Sequence, residues 1–121
     1  MKLATGVDLI DISRIREAMD RHGERFISRI FTKAEQHDCG GRVSSLAVRF
    51  AAKEAVSKAL GCGIGDVSWL DIEIRSNENK APYLVLHGEG ERLANQLGLS
   101  NWSVSLSHTE NQAIAFVVAI G

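Results

Sequence analysis

The stretch that decides the fold is Arg49–Gly61, RFAAKEAVSKALG. Ala51, Ala52, Ala55 and Ala59 favour helix, and Val56 is its one β-branched residue. Gly61 supplies a stop, because it can take the left-handed conformation that ends helices. Apart from Ser57, the remaining residues are Ala, Val, Leu, Phe and four charged side chains: Arg49, Lys53, Glu54 and Lys58. A helix this apolar is expected to be mostly buried, and buried charges need partners. Glu54 and Lys58 stand four apart, one turn from each other on one face. Either they form an i,i+4 surface pair, or a carboxylate and an ammonium are set out for a metal-bound phosphate.

Working outward, Met1–Ile10 reads as a strand with Leu3, Thr5, Val7 and Leu9 on one face. Gly6 marks a place where another backbone or a ligand comes close. Asp8 falls on the opposite face, a disfavoured strand residue that wants a reason. Asp11 or Ser13 can cap a helix running to about Arg21, with Ile12, Ile15 and Met19 as its stripe. Phe26–Phe31 makes a short helical turn. Thr32–Glu35 is a capping-box pattern that starts another helix. Ser44 or Ser45 is the expected cap of the long helix.

The second half reads mainly as strands. Trp69–Arg75 alternates, with Leu70, Ile72 and Ile74 on one side. Pro82–His87 returns after a turn at Asn77–Ala81, making a hairpin. Gly88–Leu97 is a helix with Leu93, Ala94 and Leu97 inward. Trp102–Ser107 alternates apolar residues with serine. Ala113–Ile120 is apolar throughout, hence expected to be covered on both faces. This order predicts an α+β single domain over residues 1–121, with a mainly antiparallel sheet and a long buried helix.

Composition narrows the function classes. The chain has 121 residues, 45% of them hydrophobic and 24% charged, the range of a soluble globular domain. No run approaches the ~20 apolar residues of a membrane span, and no signal peptide is visible. Cys39 and Cys62 form no CxxC motif and are expected as free thiols in a reducing, cytoplasmic compartment. Net charge is −1, unevenly spread. Residues 1–60 hold 11 Lys/Arg against 8 Asp/Glu, and residues 61–121 hold 3 against 7. The basic segment includes Arg14, Arg21 and Arg25. It fits an acidic protein partner, or a solvated face interleaved with Glu17, Asp20 and Glu24. Its dilution and lack of aromatics argue against nucleic acid.

Among chemistry-bearing residues, Ser105, Ser107 and His108 invite a serine-hydrolase reading, but GxSxG is absent. No Cys/His cluster suggests zinc. Asp8 and Glu54 are a better lead. Mg2+ is held by one or two carboxylates, with phosphates and waters filling its octahedron. The fold must bring the first strand against the long helix for this to work.

Three motifs occur in order: Gly6-Val7-Asp8 with Arg14-Ile15, then Arg49–Ala55 with Lys58–Gly61 and Gly63-Ile64, then Ser105–His108. On these the chain resembles the short bacterial type of holo-acyl-carrier-protein synthase, the 4'-phosphopantetheinyl transferases of fatty-acid synthesis. Arg29–Glu35 is also similar to that family's segment between the motifs. Two positions depart from the pattern: Lys80 stands where the hairpin turn usually has glycine, and Phe50 where many members have tryptophan.

The resemblance implies the 4'-phosphopantetheinyl transferase fold. It implies transfer of 4'-phosphopantetheine from coenzyme A to a serine of apo-acyl carrier protein, leaving adenosine 3',5'-bisphosphate. Asp8 and Glu54 would hold Mg2+, and Lys58 would neutralise the transferring phosphate. Glu54 or a water on the metal would take the serine proton. Arg49, Lys58, His108 and the backbone at Gly61 and Gly63 would contact coenzyme A. Arg14, Arg21 and Arg25 would dock the acidic carrier protein, and the active form would be a homotrimer with sites shared between neighbours. A non-catalytic module for an acidic protein would explain the basic segment without Asp8, Glu54 and Lys58. A nucleotide hydrolase would explain those three without the basic segment.

Overall fold

The computed structural model describes all residues, Met1–Gly121. Its elements are β1 (Leu3–Asp11), α1 (Ile12–His22), α2 (Glu24–Ile30), α3 (Lys33–Cys39), α4 (Val43–Ala59), β2 (Ile72–Ser76), β3 (Pro82–Leu86), α5 (Gly88–Leu97), β4 (Asn101–His108) and β5 (Gln112–Ile120). One antiparallel sheet has the order β1-β5-β4, and β2-β3 is a separate hairpin. The expected α+β class holds, but as two sheets packed about α4.

Small residues let α4 lie close on the sheet. Ala113, Ala115, Val117 and Ala119 of β5 are fully buried, as are Ala51, Ala52 and Ala55 of α4. Gly6 of β1 completes this surface: a Cβ there would sit 1.9 Å from the Ala55 carbonyl oxygen. The close approach expected at Gly6 is therefore backbone on backbone. Gly61 stops α4 with φ of 73°.

Side chains satisfy the free edge of β2. Lys53 donates to the Ile72 carbonyl, and Arg49 Nε donates to the Ile74 carbonyl at 3.0 Å. The Ile74 N–H donates to Glu35 Oε2 at 2.8 Å, and the Ser76 N–H to Asp38 Oδ2 at 3.1 Å. These four edge groups thus meet side chains from α3 or α4, as buried backbone polar groups require. Lys53 and Glu35 are fully buried and paired at 2.8 Å. Burial pulls the Lys53 pKa down, against the Glu35 charge. This explains two of the four charges on α4. They hold the helix to the hairpin.

Several expectations are corrected. The cap of α4 is Arg42, and Ser44 and Ser45 lie inside the helix. Asp11 occupies the cap position of α1 but its side chain makes no capping bond. Trp69–Asp71 is a 3-10 turn, not strand. The cause is a second capping box: the Leu70 N–H donates to Ser68 Oγ at 3.3 Å, and the Ser68 N–H to Asp71 Oδ2 at 3.2 Å. Leu97 is exposed rather than inward, and Leu70 is exposed while Ile72 and Ile74, expected on its side, are buried. The Thr32–Glu35 capping box forms as expected, and both cysteines are free. Burial pushes the Cys39 thiol up to about 11.

The largest correction concerns β5. One face packs on α4; the other is open. Leu3, Val7 and Leu9 of β1 share this open face with Ile114, Phe116 and Ile120 of β5, all exposed. The apolar side of β1 is thus the outer one, and the inner side carries Gly6, Asp8 and Ile10.

At the hairpin tip, Lys80 takes φ of 63°, the one non-glycine residue with positive φ. The Lys80 N–H donates to the Asn77 carbonyl at 2.9 Å, closing a turn. The departure from glycine keeps the turn, at a strain of about 1–2 kcal/mol.

Candidate active site

Alternation along β1 turns Asp8 inward, because Ile10 and Gly6 on the same face pack against the core. Asp8 lies opposite Ala115 in the ladder, beneath the C-terminal half of α4. There Lys58 Nζ reaches Asp8 Oδ1 at 3.1 Å and the Val7 carbonyl at 2.9 Å. The i,i+4 pair between Glu54 and Lys58 does not form. Lys58 turns instead to the first strand, 50 residues away in the chain.

Glu54 is half-buried beside this pair. Its pKa is raised, first by burial and then by the Asp8 charge; Lys58 and Arg14 oppose the shift. Arg14, on α1, therefore sits within electrostatic reach of the same group. Asp8 Oδ2 is buried and has no hydrogen-bond partner. A buried carboxylate oxygen with no donor is costly, and a second carboxylate nearby adds repulsion. The unpartnered Asp8 oxygen and the nearby Glu54 carboxylate together fit a cation held between them. No cluster of three or more His, Cys, Asp or Glu ligands surrounds them. Two carboxylates suit a hard cation that takes its remaining ligands from phosphate and water.

Two open pockets, each of about 550 Å3, flank α4. Arg42, Ser45, Arg49, Ser76, Asn77 and Lys80 line the first. Arg49 is 5% exposed. Three of its guanidinium contacts go to Ile74 and Ser45 carbonyls and to Ser76 Oγ. Arg49 has five N–H donors in all, which leaves two for a ligand. The second pocket has a floor of Phe26, Ile30, Phe50 and Trp69 and a rim of His22, Arg25 and Arg29. Phe50 and Trp69 stack with ring centroids 4.7 Å apart. Arg21 is exposed on the last turn of α1.

Other expected residues lie apart within one chain. His108 is exposed at the end of β4, its Nδ1 3.1 Å from the Thr109 carbonyl. It faces Ala113, which in turn faces Ile10 of β1, so two strand spacings, about 9–10 Å, separate it from β1. Gly61 borders a small cavity with Lys2, Leu3 and Leu97 rather than Asp8. Gly63 has nothing within 4 Å of its Cβ direction. The sequence marks Lys53 as a buried charge in need of a partner, but does not show that the partner is Glu35 of the capping box.

Comparison with known proteins agrees with this geometry. The family model for the 4'-phosphopantetheinyl transferase superfamily matches residues 4–117. A holo-[acyl-carrier-protein] synthase of Herpetosiphon aurantiacus is 49% identical, covering 98% of this chain and 99% of that protein. One from Moorella thermoacetica is 47% identical over 93% of this chain and 90% of its own length. Among solved structures, the Helicobacter pylori holo-[acyl-carrier-protein] synthase in complex with coenzyme A superposes with a TM-score of 0.88. It shares 35% identity and covers 96% of this chain and 99% of that one. The Neisseria meningitidis enzyme gives the same TM-score and identity, over 98% of both chains. With its whole length matched in sequence and fold, the chain belongs to the 4'-phosphopantetheinyl transferase superfamily, among the holo-acyl-carrier-protein synthases.

Proposed function

We propose that Asp8, Glu54 and Lys58 form the centre at which this chain moves 4'-phosphopantetheine from coenzyme A to a serine of apo-acyl carrier protein. The observation that carries this is the buried, partnerless Oδ2 of Asp8, whose charge is felt by a second carboxylate, Glu54. It supports Mg2+ held by Asp8 and Glu54. When bound, Mg2+ would offset charge on the pyrophosphate oxygens.

The chain's own residues do the rest. The serine oxygen bonds to the β-phosphorus as the bond to adenosine 3',5'-bisphosphate breaks. Such transfers depend on positioning and on charge stabilisation. Lys58 is half exposed at its side chain, so its ammonium can leave Asp8 for a phosphate oxygen. The serine must also lose a proton. Glu54, whose proton affinity burial and Asp8 raise, is the acceptor the site offers. Arg49 meets the donor from the first pocket.

Carrier-protein docking belongs to the second pocket. Its rim of Arg25, Arg29 and His22 suits an acidic helix, and its aromatic floor suits that helix's apolar residues. Arg14, on the same helix as His22, acts electrostatically on Glu54, and Arg21 adds charge at the end of that helix. The test is incubation with coenzyme A, Mg2+ and several apo-carrier proteins, followed by mass spectrometry of the serine. No pantetheinyl mass gain from a well-folded enzyme would overturn the reading. Arg25→Ala is expected to raise KM for carrier protein several-fold, and less so as salt rises. An equal ratio at all ionic strengths would remove Arg25 from the docking surface.

The open sheet face supports a homotrimer. Six exposed apolar side chains on two adjacent strands (Leu3, Val7, Leu9, Ile114, Phe116 and Ile120) are more than a lone soluble chain tolerates well. His108, remote from Asp8 within one chain, would then serve a neighbour's site. Sedimentation should show three copies for the unmodified chain and a dissociated species for Phe116→Glu. A monomer at micromolar concentration would refute the assembly.

A further inference from the structure

We propose that Thr32 and Glu73 are positioning residues for Glu54, acting through Glu35 and Lys53 along one chain of hydrogen bonds; this rests on the reading of Glu54 given above. None of the four bonds to Asp8, Glu54 or Lys58, yet Glu35, Lys53 and Glu73 are buried charged groups. Lys53 directly precedes Glu54, about 100° round the helix. Whatever holds Lys53 therefore sets the angle at which Glu54 leaves α4. The packed surface of α4 resists turning little, since Ala47, Ala51, Ala52 and Ala55 offer only methyl groups to their neighbours. Polar contacts fix the angle instead. Arg49 pins one turn, and Lys53 pins the next, which carries Glu54.

Lys53 Nζ donates to Glu35 Oε1 at 2.8 Å, to the Trp69 carbonyl at 2.9 Å and to the Ile72 carbonyl. That uses all the donors an ammonium has. Glu35 cannot swing, because Oε1 also accepts the Thr32 N–H at 2.9 Å and Oε2 accepts the Ile74 N–H at 2.8 Å. Thr32 ties this carboxylate to the next. Its hydroxyl accepts the Glu35 N–H at 3.1 Å and gives its own proton to Glu73 Oε2 at 2.6 Å. Glu73 Oε1 stands 3.0 Å from His87 Nε2 at the surface. The chain thus runs from β2 through the cap of α3 to α4 with every member partnered, and a fully satisfied buried network is rigid. Leverage makes that rigidity matter. With side chains reaching about 5–6 Å from a helix axis, a turn of about 10° moves their ends by about 1 Å. A misplacement of about 1 Å can lower a rate about 100-fold.

The test is steady-state transfer by the unmodified enzyme, Thr32→Val, Thr32→Ser and Glu73→Ala, each assayed well below its unfolding midpoint. Thr32→Val keeps the side-chain shape and removes the hydroxyl. Its kcat should fall roughly tenfold, the lower end of the loss when a supporting partner is removed, while KM for coenzyme A and for carrier protein should hold. The rise in Tm that Mg2+ gives the unmodified protein should shrink in parallel. Thr32→Ser should keep both near the unmodified values. Glu73→Ala leaves the capping box of α3 in place and cuts the chain beyond it, so it decides the matter if Thr32→Val fails to fold; its kcat should fall at unchanged KM. A lower Tm with unchanged kcat and an unchanged Mg2+ response would make the chain a fastening of α3 alone and overturn the proposal. A loss confined to KM would also overturn it, placing Thr32 on a binding surface. If the unmodified enzyme transferred nothing, the reading of Glu54 itself would fall.

Discussion

Glu54→Gln is expected to lower kcat/KM for pantetheinyl transfer by about 100- to 1000-fold, the effect of removing one group that stabilises transition-state charge. The fold should survive. Burial and the Asp8 charge raise the Glu54 pKa, so its ionised form costs stability at neutral pH. A raised carboxylate pKa means the folded state holds its proton more tightly than the unfolded chain. Stability from this group is therefore greatest in acid and declines as pH rises through its raised pKa. Glutamine removes that decline, and Tm at pH 7 should stay level or rise. A second readout separates metal binding from catalysis. Mg2+ alone should raise Tm of the unmodified protein by binding the folded state. The rise should shrink or vanish in Glu54→Gln, and likewise in Asp8→Asn. Transfer at near-normal rate by Glu54→Gln would remove Glu54 from the centre, whatever Tm does.

Gly6→Ala should cost about 3 kcal/mol or more of stability, at the upper end for adding one methyl to a packed interior. The new Cβ would lie 1.9 Å from the Ala55 carbonyl oxygen, 2.8 Å from its carbon and 3.2 Å from the Ala59 nitrogen. All three are backbone atoms of α4, so no rotamer change relieves the clash. Either β1 lifts or α4 shifts. Asp8 lies two residues along the same inward face of β1, and Glu54 immediately precedes Ala55. Activity should thus fall further than stability explains when assayed well below the unfolding midpoint. Gly63→Ala is the control, because nothing lies within 4 Å of its added methyl. A Gly6→Ala protein with stability like that of Gly63→Ala would show that the strand and helix do not touch in solution.

The two predictions concern the same contact seen from opposite sides. α4 carries two sets of charges at helical spacing. Arg49 and Lys53 face β2 and hold its carbonyls, while Glu54 and Lys58 face β1 and Asp8. Alanine between them lets both sheets approach. The fully buried Lys53–Glu35 pair fixes how α4 is turned about its axis, and with it the direction in which Glu54 points.

Much of this was legible in the residues. The order of elements, the capping box at Thr32, the stop at Gly61 and the hairpin before Pro82 follow from local rules, because caps and turns involve neighbours in the chain. Gly6 and Asp8 were conspicuous because strands disfavour both, and the long helix because its charges had no local reason. What chain spacing did not contain was the identity of the facing element. Period-two alternation separates the faces of β1 and β5, yet it does not say which face meets α4; the apolar one proved to be outside. The i,i+4 rule set Lys58 beside Glu54, but the tertiary fold offered a buried carboxylate and a free carbonyl on β1, and the ammonium went there. Nor could spacing reveal that Arg49 and Lys53 complete the edge of β2, since that edge is free only because of how the sheets divide. The helix RFAAKEAVSKALG determines by itself that a charged, apolar rod exists and where it stops. Which charge bolts the fold together and which is left for chemistry was decided only when two sheets closed on it from different sides.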